Sequence, residues 1–213
     1  MSRAARFRNR ADAGRALAEL LSGYAGHDDV VVLGLPRGGV PVAYEVARGL
    51  GVLLDVLVVR KLGVPGHEEL AMGAIAGSGV RVVNHDVVRE LGLSEAAIDA
   101  VAAREEQEVR RREAAYRSGR PALDVAGRVV IVVDDGLATG ATMRAAVAAL
   151  KTLAPKRLVV GVPTAAPPVR DELAREADEV VCVITPEPFG AVGFWYDDFA
   201  QTTDDEIHRL LAA

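Results

Sequence analysis

The chain has 213 residues, half of them apolar, and its 25 Lys and Arg against 30 Asp and Glu leave a formal net charge of -5. This weakly acidic balance provides no general attraction to nucleic acid or to an anionic membrane, and no apolar run approaches the ~20 residues of a membrane-spanning helix. A single cysteine, Cys182, excludes an internal disulfide, so we expect a cytoplasmic protein whose partners are small-molecule substrates, with neither nucleic acid nor membrane among them.

The first part of the chain predicts helices that alternate with aliphatic strands. Apolar residues at helical spacing predict a first helix over Asp12–Leu21, and the β-branched run Val30–Leu35 predicts a strand buried on both faces. A Pro-Arg-Gly-Gly turn follows, and then a helix over about Pro41–Gly49. Leu53–Val59 is again nearly all aliphatic and predicts a second long strand.

A loop, two short strands and a charged helix are predicted next. Turn residues and charges make Gly63–Glu69 a mobile loop. Short strands are predicted at Ala71–Ala76 and Val80–Val83. Ser94 is a candidate N-cap for a helix that extends to about Tyr116, in which i,i+4 pairs of Glu and Arg indicate a mostly solvated face.

The second half of the chain continues the alternation of strands and helices. Its predicted elements are the strand Val129–Val133, a helix over Thr142–Leu153, the strand Leu158–Val162, a helix beginning near Pro168 and the strand Val180–Ile184. Such alternation predicts an α/β domain with a mostly parallel sheet, with residues 1–213 as a single domain and about 86–120 as a helical insertion. Ligands bind such sheets at the carboxyl ends of the strands, so the residues after each strand matter most.

The strand Val129–Val133 is followed by two acids and a turn of small residues. The amides of Gly136–Thr142 converge at the start of a helix, an arrangement that binds phosphate, and the threonines add hydroxyl donors. Asp134 and Asp135 would repel a nucleotide's phosphates but suit sugar hydroxyls and a divalent cation. The segment therefore predicts a ribose 5-phosphate site, unless the acids only cap a strand–helix turn. A P-loop is disfavoured, because no Lys-Ser/Thr follows the glycine and the acids come first.

The run Val129–Thr142 (VVIVVDDGLATGAT) resembles the phosphoribosyl pyrophosphate motif of type I phosphoribosyltransferases, and most of all the adenine phosphoribosyltransferase version. The resemblance implies a three-layer α/β/α fold with a mostly parallel central sheet, a helical hood, and a homodimer. It implies that Asp134 and Asp135 contact the ribose 2' and 3' hydroxyls as catalytic residues. The 5'-phosphate would be held by Ala138, Thr139, Gly140, Ala141 and Thr142. Mg2+ would be the cofactor, held mainly through the substrate, with the two aspartates as its candidate protein ligands.

Arg37, Gly38 and Gly39 come directly after the first predicted strand. An arginine fork with exposed glycine amides can bind an anion, although a glycine pair can also just make a tight turn. The segment resembles the pyrophosphate loop of the same family, especially the Arg-Gly-Gly form of xanthine phosphoribosyltransferase. Because several relatives hold a non-proline cis peptide there, we predict one at Pro36–Arg37 or at a neighbouring bond.

Arg60 and Lys61 end the second predicted strand and precede the predicted mobile loop. Adenine and orotate phosphoribosyltransferases carry a similar Arg-Lys pair, which implies contacts to the leaving pyrophosphate, a catalytic role for Lys61, and closure of the loop over the site. The alternative is a solvated basic pair. Relatives typically have a further basic residue inside this loop, whereas here His67 stands among acids, so the loop is not expected to supply a second cation.

Four of the aromatic residues fall within Phe194–Phe199, close after the last predicted strand. Phe194 or Trp195 could stack on a flat base, as an aromatic does at a comparable place in hypoxanthine-type relatives, or the cluster could simply cover the end of the sheet. The sequence therefore predicts a planar acceptor without identifying it.

The sites together predict transfer of ribose 5-phosphate from phosphoribosyl pyrophosphate to a nitrogen acceptor such as a nucleobase, with release of pyrophosphate. Two alternatives are a non-catalytic regulator that senses phosphoribosyl pyrophosphate or nucleotides, and a hydrolase of phosphoribosyl compounds. The net charge of -5 argues against a regulator that binds nucleic acid. The arginines of the charged helix alternate with glutamates, and such a mixed surface does not suit a phosphate backbone.

Overall fold

The computed structural model describes residues 6–117, 119, 121–122 and 124–212. In chain order its helices and strands are α1 (Arg10–Leu20), β1 (Val30–Gly34), α2 (Gly39–Leu50), β2 (Leu53–Val56), β3 (Val59–Val64), β4 (His67–Ala76), β5 (Arg81–Val83), α3 (His85–Glu90), α4 (Glu95–Arg117), β6 (Val129–Val133), α5 (Ala141–Lys151), β7 (Arg157–Thr164), α6 (Pro167–Leu173), β8 (Glu179–Ile184) and α7 (Asp204–Ala212). Short 3-10 helices occupy Ser22–Tyr24, Gly77–Gly79 and Val192–Trp195.

Five strands form a central sheet in the order β2-β1-β6-β7-β8, and every neighbouring pair is parallel. Side chains of β1 alternate between its two faces. Val30 and Val32 share a buried cluster with Leu17 of α1. Val31 lies in a different cluster, which contains Met143 of α5. The sheet is therefore covered by helices on both faces, and the expected α/β/α fold is confirmed.

The prediction of one long strand over Leu53–Val59 is wrong, because the chain changes sheets within this run. The backbone N–H of Leu57 still donates to Gly34 of β1 over 3.0 Å, whereas the carbonyl of Val58 accepts over 3.0 Å from Gly77, the residue directly after β4 of the second sheet. Both residues are buried. The chain is aliphatic both before and after it passes from the central sheet to the second sheet, so hydrophobicity alone could not reveal where it changes sheets.

The second sheet, in the antiparallel order β3-β4-β5, corrects two further predictions. Arg60 and Lys61 lie inside β3 and do not end a strand of the central sheet. Gly63–Glu69 belongs to a β-hairpin and is not a loop, since only Pro65 and Gly66 separate β3 from β4. Gly66 has a positive φ of 79°, a conformation that glycine adopts without strain and that a tight turn needs.

Helix α4 packs one apolar face against the hairpin and α7. Ser94 is its N-cap, as predicted, and accepts a hydrogen bond from the backbone of Ala97 over 3.2 Å. Ile98 and Val109 on its inner face share a buried cluster with Ile207 of α7. Helices α3 and α4 together span 85–117, the region of the insertion predicted at about 86–120, of which residues 118 and 120 lie outside the described part of the chain. The single-domain assignment over 1–213 stays a prediction, and residues 1–5 and 213 at its ends lie outside the description too.

In the described ranges of the chain, none of the helices combines the length and the apolar character needed to cross a bilayer.

Candidate active site

The centre of the site is the acid pair at the carboxyl end of β6, the middle strand of the central sheet. The backbone N–H of Asp135 donates to Asp134 Oδ1 over 2.8 Å, which holds the first carboxylate against the turn. Burial raises the pKa of Asp134 well above its usual range, and the neighbouring charge of Asp135 raises it further. The fold thus maintains two adjacent carboxylates at a cost in electrostatic energy, an arrangement typical of functional sites.

The loop after β1 packs directly on this acid pair. A β-carbon at Gly39 would lie 2.6 Å from the carbonyl oxygen of Val133 and 2.8 Å from Cα of Asp134. The Pro36–Arg37 peptide is cis, as predicted. The side chain of Arg37 is exposed, and its Nη1 lies 4.0 Å from Asp204 of α7. Two glycines therefore bring the loop and the end of β6 into direct contact, with a guanidinium at the rim.

The small-residue turn after the acids surrounds a cavity of about 200 Å³, large enough for a phosphate group. Gly140 has a positive φ of 69°, and helix α5 begins immediately after it. The amino end of that helix therefore lies at the cavity, where N–H groups that have no carbonyl partner inside the helix favour an anion. The residues that line the cavity are Asp134, Gly136, Leu137, Ala138, Thr139, Gly140, Ala141, Thr142, Met143 and Val192.

The Arg-Lys pair lies in the second sheet, and both cations already have acidic partners. Lys61 Nζ lies 3.0 Å from Glu69 Oε2 across the hairpin. Arg60 contacts the buried carboxylate of Glu105 in α4 over 2.8 Å. Lys61 also lines a cavity of about 530 Å³, which shares Ala141 with the smaller phosphate-sized cavity. Lys61 therefore lines a cavity next to the phosphate-sized cavity that Asp134 lines, whereas Arg60 links β3 to α4.

The aromatic segment meets the site through residues other than the two that were predicted. Trp195 donates from its indole N–H to the carbonyl of Phe189 over 2.9 Å, so its polar edge is occupied. Phe194 is 66% exposed and is free to stack on a ligand. Val192, in the same 3-10 helix, lines the phosphate-sized cavity. The acceptor roles of Phe194 and Trp195 stay predictions.

Arg10 and Tyr196 are site residues that sequence reasoning missed. Arg10 Nε lies 2.8 Å from Asp135 Oδ2, and the Tyr196 hydroxyl donates to the carbonyl of Asp135 over 2.6 Å. Burial raises the pKa of Tyr196, so this hydroxyl stays a proton donor. Arg10 is one of several arginines near the N-terminus, and no local signal separates it from the others.

The acid pair is a candidate site for a magnesium ion that is shared with a bound substrate. Across the described ranges, no three His, Cys, Asp or Glu side chains converge in a way that could hold a metal by themselves. Two adjacent carboxylates do suit Mg2+, which is commonly bound by one or two carboxylates together with substrate phosphates. Asp134 and Asp135 fit such shared binding.

Comparison with known proteins gives a consistent result. A family model described as a phosphoribosyl transferase domain matches residues 5–197. Two Mycobacterium tuberculosis proteins that are provisionally named phosphoribosyl transferases, MT0597 of strain CDC 1551 and Rv0571c of strain H37Rv, are each 51% identical over 205 residues. These matches cover 96% of this chain but 46% of each relative, so the chain spans about half the length of the curated relatives. The crystal structure of TT1426 from Thermus thermophilus is 45% identical, with 97% of both chains covered and a TM-score of 0.89.

Proposed function

Because this chain belongs to the phosphoribosyl transferase family, we propose that it transfers ribose 5-phosphate from phosphoribosyl pyrophosphate to a nitrogen atom of a nucleobase, releasing pyrophosphate. The observation that carries the proposal is the contact between the Gly38–Gly39 loop and the acid pair, beside a phosphate-sized cavity. This arrangement supports three adjoining subsites in the order in which the donor carries its groups. They are the 5'-phosphate in the small-residue turn, the ribose at Asp134 and Asp135, and the pyrophosphate at the loop after β1.

The reaction breaks the bond between C1 of the ribose and the pyrophosphate oxygen, and forms a bond from C1 to the acceptor nitrogen. Positive charge develops on the ribose, next to Asp134 and Asp135, and negative charge develops on the departing pyrophosphate. Arg37 lies at the rim of the loop, and Lys61 would reach the pyrophosphate by exchanging its bond to Glu69 for one to the substrate. Such preorganised charge can account for catalysis without a covalent nucleophile.

Asp134 and Asp135 would hold Mg2+ together with the donor's phosphate groups, and the ion would supply positive charge to the leaving group. The protein's own contribution is to hold the ribose hydroxyls on two carboxylates and to exclude water. For the acceptor, the exposed ring of Phe194 offers a stacking surface, and Val192 brings the same segment to the edge of the phosphate-sized cavity. A homodimer and a cytoplasmic location stay expectations from the sequence.

The test is pyrophosphate release from phosphoribosyl pyrophosphate and Mg2+ with a panel of nucleobases. We expect release that depends on one base or a few related bases. Release without any base would indicate a hydrolase, and tight donor binding without release would indicate a sensor. The variant Asp134→Asn with Asp135→Asn is the control, because it keeps the shape of both side chains while removing their charge. We expect it to fold and to lose all transfer, and retained turnover would contradict the role of the pair.

A further inference from the structure

Arg10, the first residue of α1, bridges groups that are far apart in the sequence. Its Nε donates to Asp135 Oδ2 over 2.8 Å, and its Nη1 donates to the carbonyl of Ala200 over 2.6 Å. The guanidinium carbon also lies 4.0 Å from the centre of the Phe199 ring, a cation–π contact. The side chains of Arg10 and Asp135 are only 13% and 15% exposed, so water weakens the ion pair little.

The same aromatic cluster holds the backbone of Asp135. The Tyr196 hydroxyl donates to the Asp135 carbonyl over 2.6 Å, and the rings of Tyr196 and Phe199 stack with centroids 5.0 Å apart. The guanidinium of Arg10 therefore lies on the ring of Phe199. Phe199 in turn stacks on Tyr196, which donates a hydrogen bond to Asp135. Arg10 makes its hydrogen bond to Oδ2 of the Asp135 carboxylate and none to Oδ1 within the part of the chain that the structure describes.

The Gly38–Gly39 loop also packs against this carboxylate, beside Arg10. A β-carbon at Gly38 would lie 2.7 Å from Asp135 Cγ and 3.3 Å from Arg10 Nε. The carboxylate of Asp135 is thus in contact with both a guanidinium and a glycine backbone, which restricts its rotation. Functional groups that are held in one orientation by such neighbours bind a ligand without a further loss of conformational entropy.

We propose, on the basis of the function proposed above, that Arg10 is a positioning residue: it fixes the Asp135 carboxylate through Oδ2 and directs Oδ1 to a ribose hydroxyl of the donor. A planar guanidinium can bond Asp135 and Ala200 at once and stack on Phe199, whereas an ammonium group cannot do all three.

The test compares Arg10→Met and Arg10→Lys with Arg15→Met. Arg15 lies on the same helix and also forms ion pairs, 3.5 Å from Glu45 and 3.6 Å from Asp12, which makes it a matched control. Affinity for phosphoribosyl pyrophosphate with Mg2+ is measured by calorimetry at pH 7.5, kcat and KM are measured by pyrophosphate release, and the orientation of the Asp135 carboxylate is read from a crystal structure of each variant. We expect Arg10→Met to weaken donor binding at least tenfold and to turn the Asp135 carboxylate away from its parental orientation. Arg15→Met should match the parent protein.

Arg10→Lys separates charge from geometry. It should bind the donor threefold to tenfold more weakly than the parent, a smaller loss than in Arg10→Met. The proposal is overturned if Arg10→Met binds the donor as the parent does, or if its affinity falls while the Asp135 carboxylate keeps its parental orientation. If Arg10→Met does not fold, parental affinity in Arg10→Lys overturns it.

A failure of the proposed function would look different. The parent protein would then bind phosphoribosyl pyrophosphate without base-dependent release of pyrophosphate, or would not bind it at all. The crystal structures of the same three variants would still decide whether Arg10 fixes the Asp135 carboxylate, because they need no donor.

Discussion

A β-carbon at Gly38 would lie 2.7 Å from Cγ of Asp135 and closer still to its Oδ2, although the two residues are far apart in the chain. They meet because β1 and β6 are parallel neighbours in the central sheet, so the segments that follow them leave the sheet at the same edge. The loop after β1 and the acid pair after β6 are therefore one structural unit. Any side chain at position 38 must displace the second aspartate.

The variant Gly38→Ala tests this unit directly. We expect it to lower kcat/KM by about a hundredfold or more, because displaced catalytic groups lose their alignment with the substrate. Stability should fall by about 1–3 kcal/mol, the usual effect of overpacking. Gly23→Ala is the control, since a β-carbon there meets nothing within 4 Å and Gly23 lies away from the site. Steady-state kinetics and urea unfolding of both variants give the answer, and parental kinetics in Gly38→Ala would contradict the close contact.

Asp134→Asn should make the protein more stable at neutral pH. The folded state raises the pKa of Asp134 through burial and the charge of Asp135, so the ionised carboxylate destabilises the fold at any pH above that raised pKa. Below the pKa of the unfolded chain both states are protonated, and this penalty disappears. We expect a gain of roughly 1 kcal/mol in the free energy of unfolding at pH 7 and no comparable gain near pH 3. Urea unfolding at the two pH values tests the sign; a loss of stability at pH 7 would refute it.

Lys61→Met should impair chemistry while leaving the fold intact. Its ion pair with Glu69 is exposed, with 38% of the lysine side chain and all of the glutamate side chain open to solvent, so it contributes little to stability. If Lys61 stabilises the departing pyrophosphate, kcat should fall by about a hundredfold, as when one preorganised donor is removed. The control is Glu69→Gln, which frees the same cation and should keep kcat within about threefold of the parent. An unchanged kcat in Lys61→Met would leave Arg37 as the cation at the pyrophosphate.

Cys182 should be inert towards thiol reagents in the folded protein. Burial raises the pKa of its thiol to about 11, so the thiolate fraction at pH 8 is on the order of a thousandth. A free cysteine at the same pH is roughly one-quarter ionised. We expect labelling by Ellman's reagent to be at least about a hundredfold slower than for free cysteine, and to reach the ordinary rate in denaturant. Rapid labelling of the native protein would show that the thiol is accessible and ionised.

The central sheet and the acid pair could be predicted because their signals are local. Each buried strand is a short aliphatic run, and the motif in Val129–Thr142 places acids, small residues and a helix start in a fixed order along the chain. The position of this motif in the fold then follows, since a parallel strand followed by a helix places such a turn at the carboxyl edge of the sheet. The cis peptide at Pro36–Arg37 was also predicted, from the resemblance of its loop to a known one.

The change of sheet after Leu57, the hairpin at Gly66 and the partners of Arg60 and Lys61 were decided only by the tertiary structure. Hydrophobic patterning reports whether a residue is buried, and it does not report which sheet buries it. The same holds for the bond between Arg10 and Asp135, which joins residues 125 positions apart. The sequence by itself predicted which groups would bind a phosphorylated ribose, because those groups follow one another in the chain. Packing decided what holds these groups in place, because the contacts that orient a carboxylate come from whichever distant segments the fold brings beside it.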